Sequence, residues 1–249
     1  MIPVGVTGVK KRPYATWLLI VLNTLIFFYF YLQGDVAFHV AIKAYGLAPI
    51  DLLRGRKLHA LITSMFMHGD LVHLLSNMLF LYVFGGAVEA RMGTLRFTVF
   101  YLACGFAASF MHSLVELFSF HPLNIPCIGA SGAISGILGA YLILFPFSFV
   151  NVMTLTLLGL PFIIPIPAVL FLAFWFLFQL WMGFLSLHLP YFVGVAFWAH
   201  IGGFITGALL SLPLKRRRYV VRSGKIWYEV PIHLVFQLAS RQIHSMGRP

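Results

Sequence analysis

The sequence predicts an all-α fold: a polytopic membrane helix bundle with six transmembrane helices. Composition points there first, since 61% of the 249 residues are hydrophobic and only 9% are charged, whereas a soluble domain carries about 25% charged residues. The mean hydropathy is +0.94. Apolar runs also recur six times along the chain, several of them near the ~20 residues a helix needs to cross the hydrocarbon layer.

Residues 1–16 read as a short tail carrying Lys10, Lys11 and Arg12. The first span covers 17–32; its length, its aromatic content and the lack of a small-residue cleavage pattern after it favour a retained helix over a signal peptide. Residues 33–60 form a long mixed loop with some amphipathic character. The second span runs from 71 to about 90, introduced by His68-Gly69-Asp70. The third covers about 97–117, the fourth 131–146, the fifth 167–182 and the sixth 191–212. Pro161, Pro165 and Pro167 mark the approach to the fifth. The domain expectation is thus a tail (1–16), a membrane domain (17–214) and a basic C-terminal tail (215–249). In that tail Ile232, Val235, Phe236, Ala239 and Ile243 fall at helical spacing, as on an amphipathic surface helix.

Six spans place both ends of the chain on one side. Three Lys or Arg precede the first span, two (Arg91, Arg96) lie between the second and third, and eight follow the sixth, against four in the first loop. The positive-inside rule then puts both termini in the cytoplasm. The formal charge of +11 resides in clusters beside apolar runs, as membrane anchors do, and no recognition motif accompanies it, so nucleic acid is not an expected partner. Cys104 and Cys127 make neither a disulfide framework nor a metal pair. His68, His112, His121 and His188 share no ligand spacing on one helix, and no metal or other cofactor is expected.

Polar residues at membrane depth are costly and usually functional. Gly129-Ala130-Ser131-Gly132 opens the fourth span after a segment broken by Pro122 and Pro126. A serine there is exposed at a helix N-terminus, where free backbone N–H groups point at whatever binds. His200 lies within the sixth span. At 1.5 Å per residue and a ~30 Å core, Ser131 lies about 8 Å below the outer edge, His200 about 13 Å and Asn77 about 10 Å. Gly132, Gly136 and Ala140 recur every fourth residue, as do Gly203 and Gly207. Such faces let helix backbones touch, which brings Ser131 and His200 within reach of each other as nucleophile and general base. No carboxylate is found at that layer, since Asp70 and Glu116 are expected at the outer surface and Glu89 at the inner end of span two, so the expectation is a dyad. His73 and Asn77, spaced to share a helix face, and the Ser131 N–H are nominated as oxyanion donors. Ser135 lies one turn deeper and is the lesser nucleophile candidate.

These motifs resemble the rhomboid intramembrane serine proteases: His73-x-x-x-Asn77 in span two, Gly129-x-Ser131-Gly132 opening span four, and Ala199-His200-x-x-Gly203-x-x-x-Gly207 in span six. The similarity covers about residues 55–215. It implies a bundle with a water-filled cavity open to the outside, and a transmembrane protein substrate entering from the lipid bilayer past span five. Glu89 and Gly93 match the family's bend after span two. Two positions depart from the pattern. Ser135 stands where the family often has an aromatic stacked on the histidine, with Trp198 or Tyr141 as possible substitutes. Leu58-His59 stands where the family has a Trp-Arg pair in the first loop.

Rival readings are a non-catalytic rhomboid-like binder or chaperone of membrane proteins, which would be expected to lose Ser131 or His200, and a channel or transporter. Against the last stand the uncharged midplane and the absence of an internal repeat. Short loops and the lack of a targeting segment suggest a bacterial cytoplasmic membrane.

Overall fold

The computed structural model describes residues 2–6, 12–155, 160–188 and 194–214, and the backbone of 218–223 and 226–231. The chain divides into two units, Met1–Leu212 and Pro213–Pro249. The second holds an antiparallel hairpin, Arg218–Ser223 paired with Ile226–Pro231. The tail helix expected around Ile232–Ile243 lies outside the described residues.

In the first unit the elements run β1 (Ile2–Val6), α1 (Tyr14–Tyr31), α2 (Asp35–Tyr45), α3 (Pro49–Leu53), α4 (Ala60–Thr63), α5 (Leu71–Phe80), α6 (Gly86–Met92), α7 (Thr94–Glu116), α8 (Ser131–Leu144), β2 (Phe149–Leu155), β3 (Pro161–Pro167), α9 (Ala168–His188) and α10 (Phe197–Ser211). A π turn over Leu81–Gly85 joins α5 to α6 in one continuous span. Gly93, at φ +84°, ends that span and turns the chain into α7.

Among the described residues, five helices are long and apolar enough to cross a membrane. The sixth expected span, α8, has 14 residues, a rise of about 21 Å, and so falls short of the ~30 Å core. It can be short because it is enclosed: 11 of its residues are buried. It packs between α7 and α10, so protein rather than lipid surrounds most of it. The sixth span also begins later than expected. Gly194, at φ +143°, is not helical, α10 starts at Phe197, and His200 therefore sits in its first turn rather than nine residues down.

The strands are a second difference. Residues 2–6, expected in a short tail, pair antiparallel with β2, and β2 pairs with β3. Pro161, Pro165 and Pro167 all have the same parity along the edge strand β3, so their missing N–H groups cost no ladder bond. Because β1 pairs with the α8–α9 connection, the N-terminal segment and that connection lie at the same end of the bundle.

Glu89 explains how the helices at that end are held. Its carboxylate accepts hydrogen bonds from the Ala15 N–H (2.9 Å), the Thr16 N–H and hydroxyl (2.8 Å each) and the Thr94 hydroxyl (2.9 Å). One buried acid thus satisfies two free donors at the start of α1 and ties α1 and α7 to α6. A negative charge at the N-terminus of a helix is also favoured by the helix dipole.

Candidate active site

α8 and α10 approach until their backbones touch. A Cβ at Gly203 would strike the Gly132 carbonyl oxygen, and one at Gly207 would strike the Gly136 carbonyl oxygen. On the other side of α8, a Cβ at Gly132 or Gly136 would come within 2.6 Å of the Ala108 Cβ or 2.5 Å of Cys104 on α7. The small residues spaced by four are therefore the seams along which α8 is wedged. With no room for side chains there, the first turns of α8 and α10 meet.

At that meeting point the Ser131 hydroxyl and His200 Nε2 are 2.9 Å apart. Ser131 is the first residue of α8, and the first backbone bond of the helix is made by the Ile134 N–H to the Ala130 carbonyl. The N–H groups of Ser131, Gly132 and Ala133 thus belong to the turn that has no intrahelical acceptors.

The segment leading to Ser131 is held by backbone bonds to the first loop. Leu47 and Cys127 exchange a pair of bonds (3.0 and 2.9 Å), the Ile50 N–H donates to the Leu123 carbonyl (3.0 Å), and the Gly129 N–H donates to the Ser64 carbonyl (2.9 Å). Leu58 is exposed, and the His59 ring reaches the Ala44 carbonyl. The loop therefore supports the site without the Trp-Arg pair. Gly129 adopts φ +119°, a conformation only glycine takes easily.

Asp70 caps α5 by accepting the His73 N–H at 2.8 Å, which fixes the first turn that carries the His73 ring. The Gly69 N–H points at His73 Nδ1 (3.4 Å), leaving Nε2 to carry the proton. That Nε2 and the Ser131 hydroxyl lie 2.7 and 3.6 Å from the point where a Gly129 Cβ would be. His73 is therefore brought beside the Ser131 hydroxyl. Asn77, one turn further, is buried, and its amide donates to the His73 carbonyl at 3.1 Å.

The Ser135 hydroxyl donates to the Ser131 carbonyl at 2.7 Å, so it is engaged in its own helix. Neither Trp198 nor Tyr141 covers the imidazole. Trp198 donates to the Gly183 carbonyl and Tyr141 bonds Ser148. Two rings flank His200: Trp175 on α9, with centroids 6.1 Å apart and planes 36° apart, and Phe197 on α10, edge-on at 6.5 Å. Trp175 and Phe176 also stack on Phe204, while Phe174, Phe178 and Trp181 are exposed.

Glu116, the last residue of α7, is buried. His121 approaches it at 3.0 Å and His112 at 3.6 Å. His68 is buried with its ring edge-on to His73, centroids 5.0 Å apart; burial, followed by the neighbouring His73, pushes its pKa down to about 3. Cys127 is a free thiol that burial pushes up to about 12.

Sequence reasoning missed Gln179 of α9. It is 6% exposed, and its Oε1 lies 2.9 Å from His200 Nδ1. The signal was present as a lone amide inside an apolar run. A small recess lined by Ser64, Met65, Gly105, Ser109, Ser131 and Gly132 adjoins the hydroxyl.

A family profile described as "Rhomboid domain" matches residues 55–217. Among curated proteins, the chain is similar to "Rhomboid protease GluP" of Bacillus subtilis (strain 168), 36% identical over 53% of this chain and 24% of that protein. It is also similar to two proteins of Arabidopsis thaliana. "RHOMBOID-like protein 4" is 32% identical over 68% of this chain and 37% of that protein. "RHOMBOID-like protein 6, mitochondrial" is 31% identical over 66% and 46% respectively. The chain thus spans less than half the length of each of these relatives.

Proposed function

The chain belongs to the rhomboid family, and on that premise we propose that it is an intramembrane serine endopeptidase in which Ser131 is the nucleophile and His200 the general base and acid. The observation that carries this reading is the 2.9 Å approach of the Ser131 hydroxyl to His200 Nε2 between two membrane helices. A hydroxyl is a weak nucleophile until a base takes its proton, and this is the geometry that removal requires.

In the proposed cycle the Ser131 hydroxyl donates its proton to His200 Nε2 as Oγ attacks the scissile carbonyl. The oxyanion then forms beside the Ser131 N–H and the His73 Nε2–H, with Asn77 as a further donor once its amide turns from the His73 carbonyl. Donors fixed in an apolar site are worth several kcal/mol to such an intermediate. His200 returns the proton to the leaving amine, and the ester left on Ser131 is hydrolysed by water that His200 activates. No metal or cofactor enters this scheme.

The substrate is proposed to be a membrane-spanning protein cut near its outer boundary, with a small side chain seated in the recess beside Ser131. The protein is proposed to lie in a bacterial cytoplasmic membrane with both termini cytoplasmic, a topology supported by the basic N-terminal and C-terminal clusters.

Ser131→Ala tests the reading. The purified wild type should be labelled by a fluorophosphonate and should cut a transmembrane test substrate, and the variant should do neither while still binding that substrate. A wild type that is never labelled, or cleavage that survives in Ser131→Ala, would overturn it; a non-catalytic binder would behave identically with and without the substitution.

A further inference from the structure

We propose that Gln179 is the positioning residue of the Ser131–His200 pair, holding His200 in the tautomer that can act as a base. The inference rests on the proteolytic reading above and adds a residue to it. Triads use a carboxylate on the far nitrogen of the imidazole; here that nitrogen meets an amide oxygen, His200 Nδ1 to Gln179 Oε1, at 2.9 Å.

Three features give the contact direction. Gln179 is buried in a helix whose run from 168 to 188 is otherwise almost wholly apolar, and a buried amide there is costly unless it is bonded. The two His200 contacts also constrain each other. With the proton on Nδ1 donated to the Gln179 oxygen, Nε2 keeps its lone pair for the Ser131 hydroxyl. With the amide reversed, its NH2 would donate to Nδ1, the imidazole proton would move to Nε2, and Ser131 would lose its base. Finally, a neutral acceptor orients the ring without placing a second charge among apolar helices, where an ion carries a large desolvation cost.

Gln179 does not act alone on the ring. Trp175 lies one turn earlier on the same face of α9 and flanks the imidazole. One helix face therefore supplies both the Nδ1 partner and a ring neighbour of His200, while α8 supplies the hydroxyl. The other titratable groups that act on His200 are His73 on α5 and His112 on α7, the latter beside Glu116 and His121; all of these are unchanged in the variants below.

The test uses the full chain in detergent and measures the rate at which a fluorophosphonate labels Ser131 between pH 5 and 9, with the melting temperature of each variant. Gln179→Leu should label about 50-fold more slowly, because much of the base contribution is lost with the tautomer. Gln179→Glu keeps an acceptor oxygen and should stay within about fivefold of wild type, with the acid limb of its pH profile about one unit higher because a carboxylate favours the imidazolium. If Gln179→Leu fails to fold, Gln179→Met, unbranched and of similar length, replaces it. Labelling at the wild-type rate in either apolar variant would overturn the proposal. So would a Gln179→Glu variant as slow as the apolar one with an unshifted profile, since that pattern marks a packing role. If both apolar variants melt, the Gln179→Glu profile alone decides. An unlabelled wild type would instead mean that the proteolytic reading itself fails.

Discussion

The carbonyl oxygen of Gly132 occupies the space that the Cβ of any other residue at position 203 would need. Both partners are backbone at this point, so neither can swing aside as a side chain would. Gly203→Ala should force α10 away from α8, lowering stability by about 2 kcal/mol or more, as overpacking does. The same displacement should lengthen the Ser131–His200 approach. Thermal unfolding in detergent, together with fluorophosphonate labelling of Ser131, checks both effects. A variant of wild-type stability and reactivity would show that the seam can yield.

Glu89→Ala should be among the most destabilising single changes in the chain. It leaves the Ala15 and Thr16 N–H groups and two threonine hydroxyls without their acceptor. Hydrogen bonds to a charged group are worth about 1.5–3 kcal/mol each, though not additively, so a loss of roughly 3 kcal/mol or more is expected. Comparison with Glu89→Gln, which keeps one acceptor oxygen, should show a smaller loss.

His73→Ala should slow cleavage by about 100-fold with little change in KM, the signature of a donor used in the transition state. His73 Nε2 faces the gap beside Ser131 across Gly129. A rise in KM alone would mark it as a substrate contact instead.

Ser135→Ala should leave turnover within about twofold of wild type, since that hydroxyl is spent on the Ser131 carbonyl. Loss of labelling in this variant would reassign the nucleophile.

His68 should make the fold acid-sensitive. Burial pushes its pKa from the ordinary 6.5 to about 3, so the unfolded chain binds the proton first. The stability this neutral ring contributes is complete above pH 6.5 and is lost as pH falls, by about 2 kcal/mol at pH 5. His68→Phe should flatten the melting temperature between pH 6.5 and 5. An equally steep decline in that variant would move the acid sensitivity elsewhere.

The spans, the Gly seams and the pairing of Ser131 with His200 were legible because each is written in a periodicity or a motif. Polar residues in apolar runs stand out, and spacing by four reports which helix faces come together. What was not legible depended on contacts between distant segments. The short α8 reads like any other span until its enclosure by α7 and α10 is known. The strand Ile2–Val6 has no hydrophobic alternation of its own and exists because β2 offers it an edge. Gln179 is a lone amide whose partner the sequence does not disclose, since nothing in the run 168–188 indicates which turn faces His200. The burial of Glu116, on which His112 and His121 converge, is of the same kind.

The clasp between the first loop and the stretch ahead of Ser131 is made from peptide groups: Leu47 with Cys127, Ile50 with Leu123, Ser64 with Gly129. Main-chain atoms are common to nearly every residue, so substitution along this loop need not disturb the register in which the nucleophile is delivered. Relatives whose first loops look unrelated letter by letter can therefore share the same mooring, and a missing signature pair such as Trp-Arg is a poor reason to exclude a chain from the working members of its family.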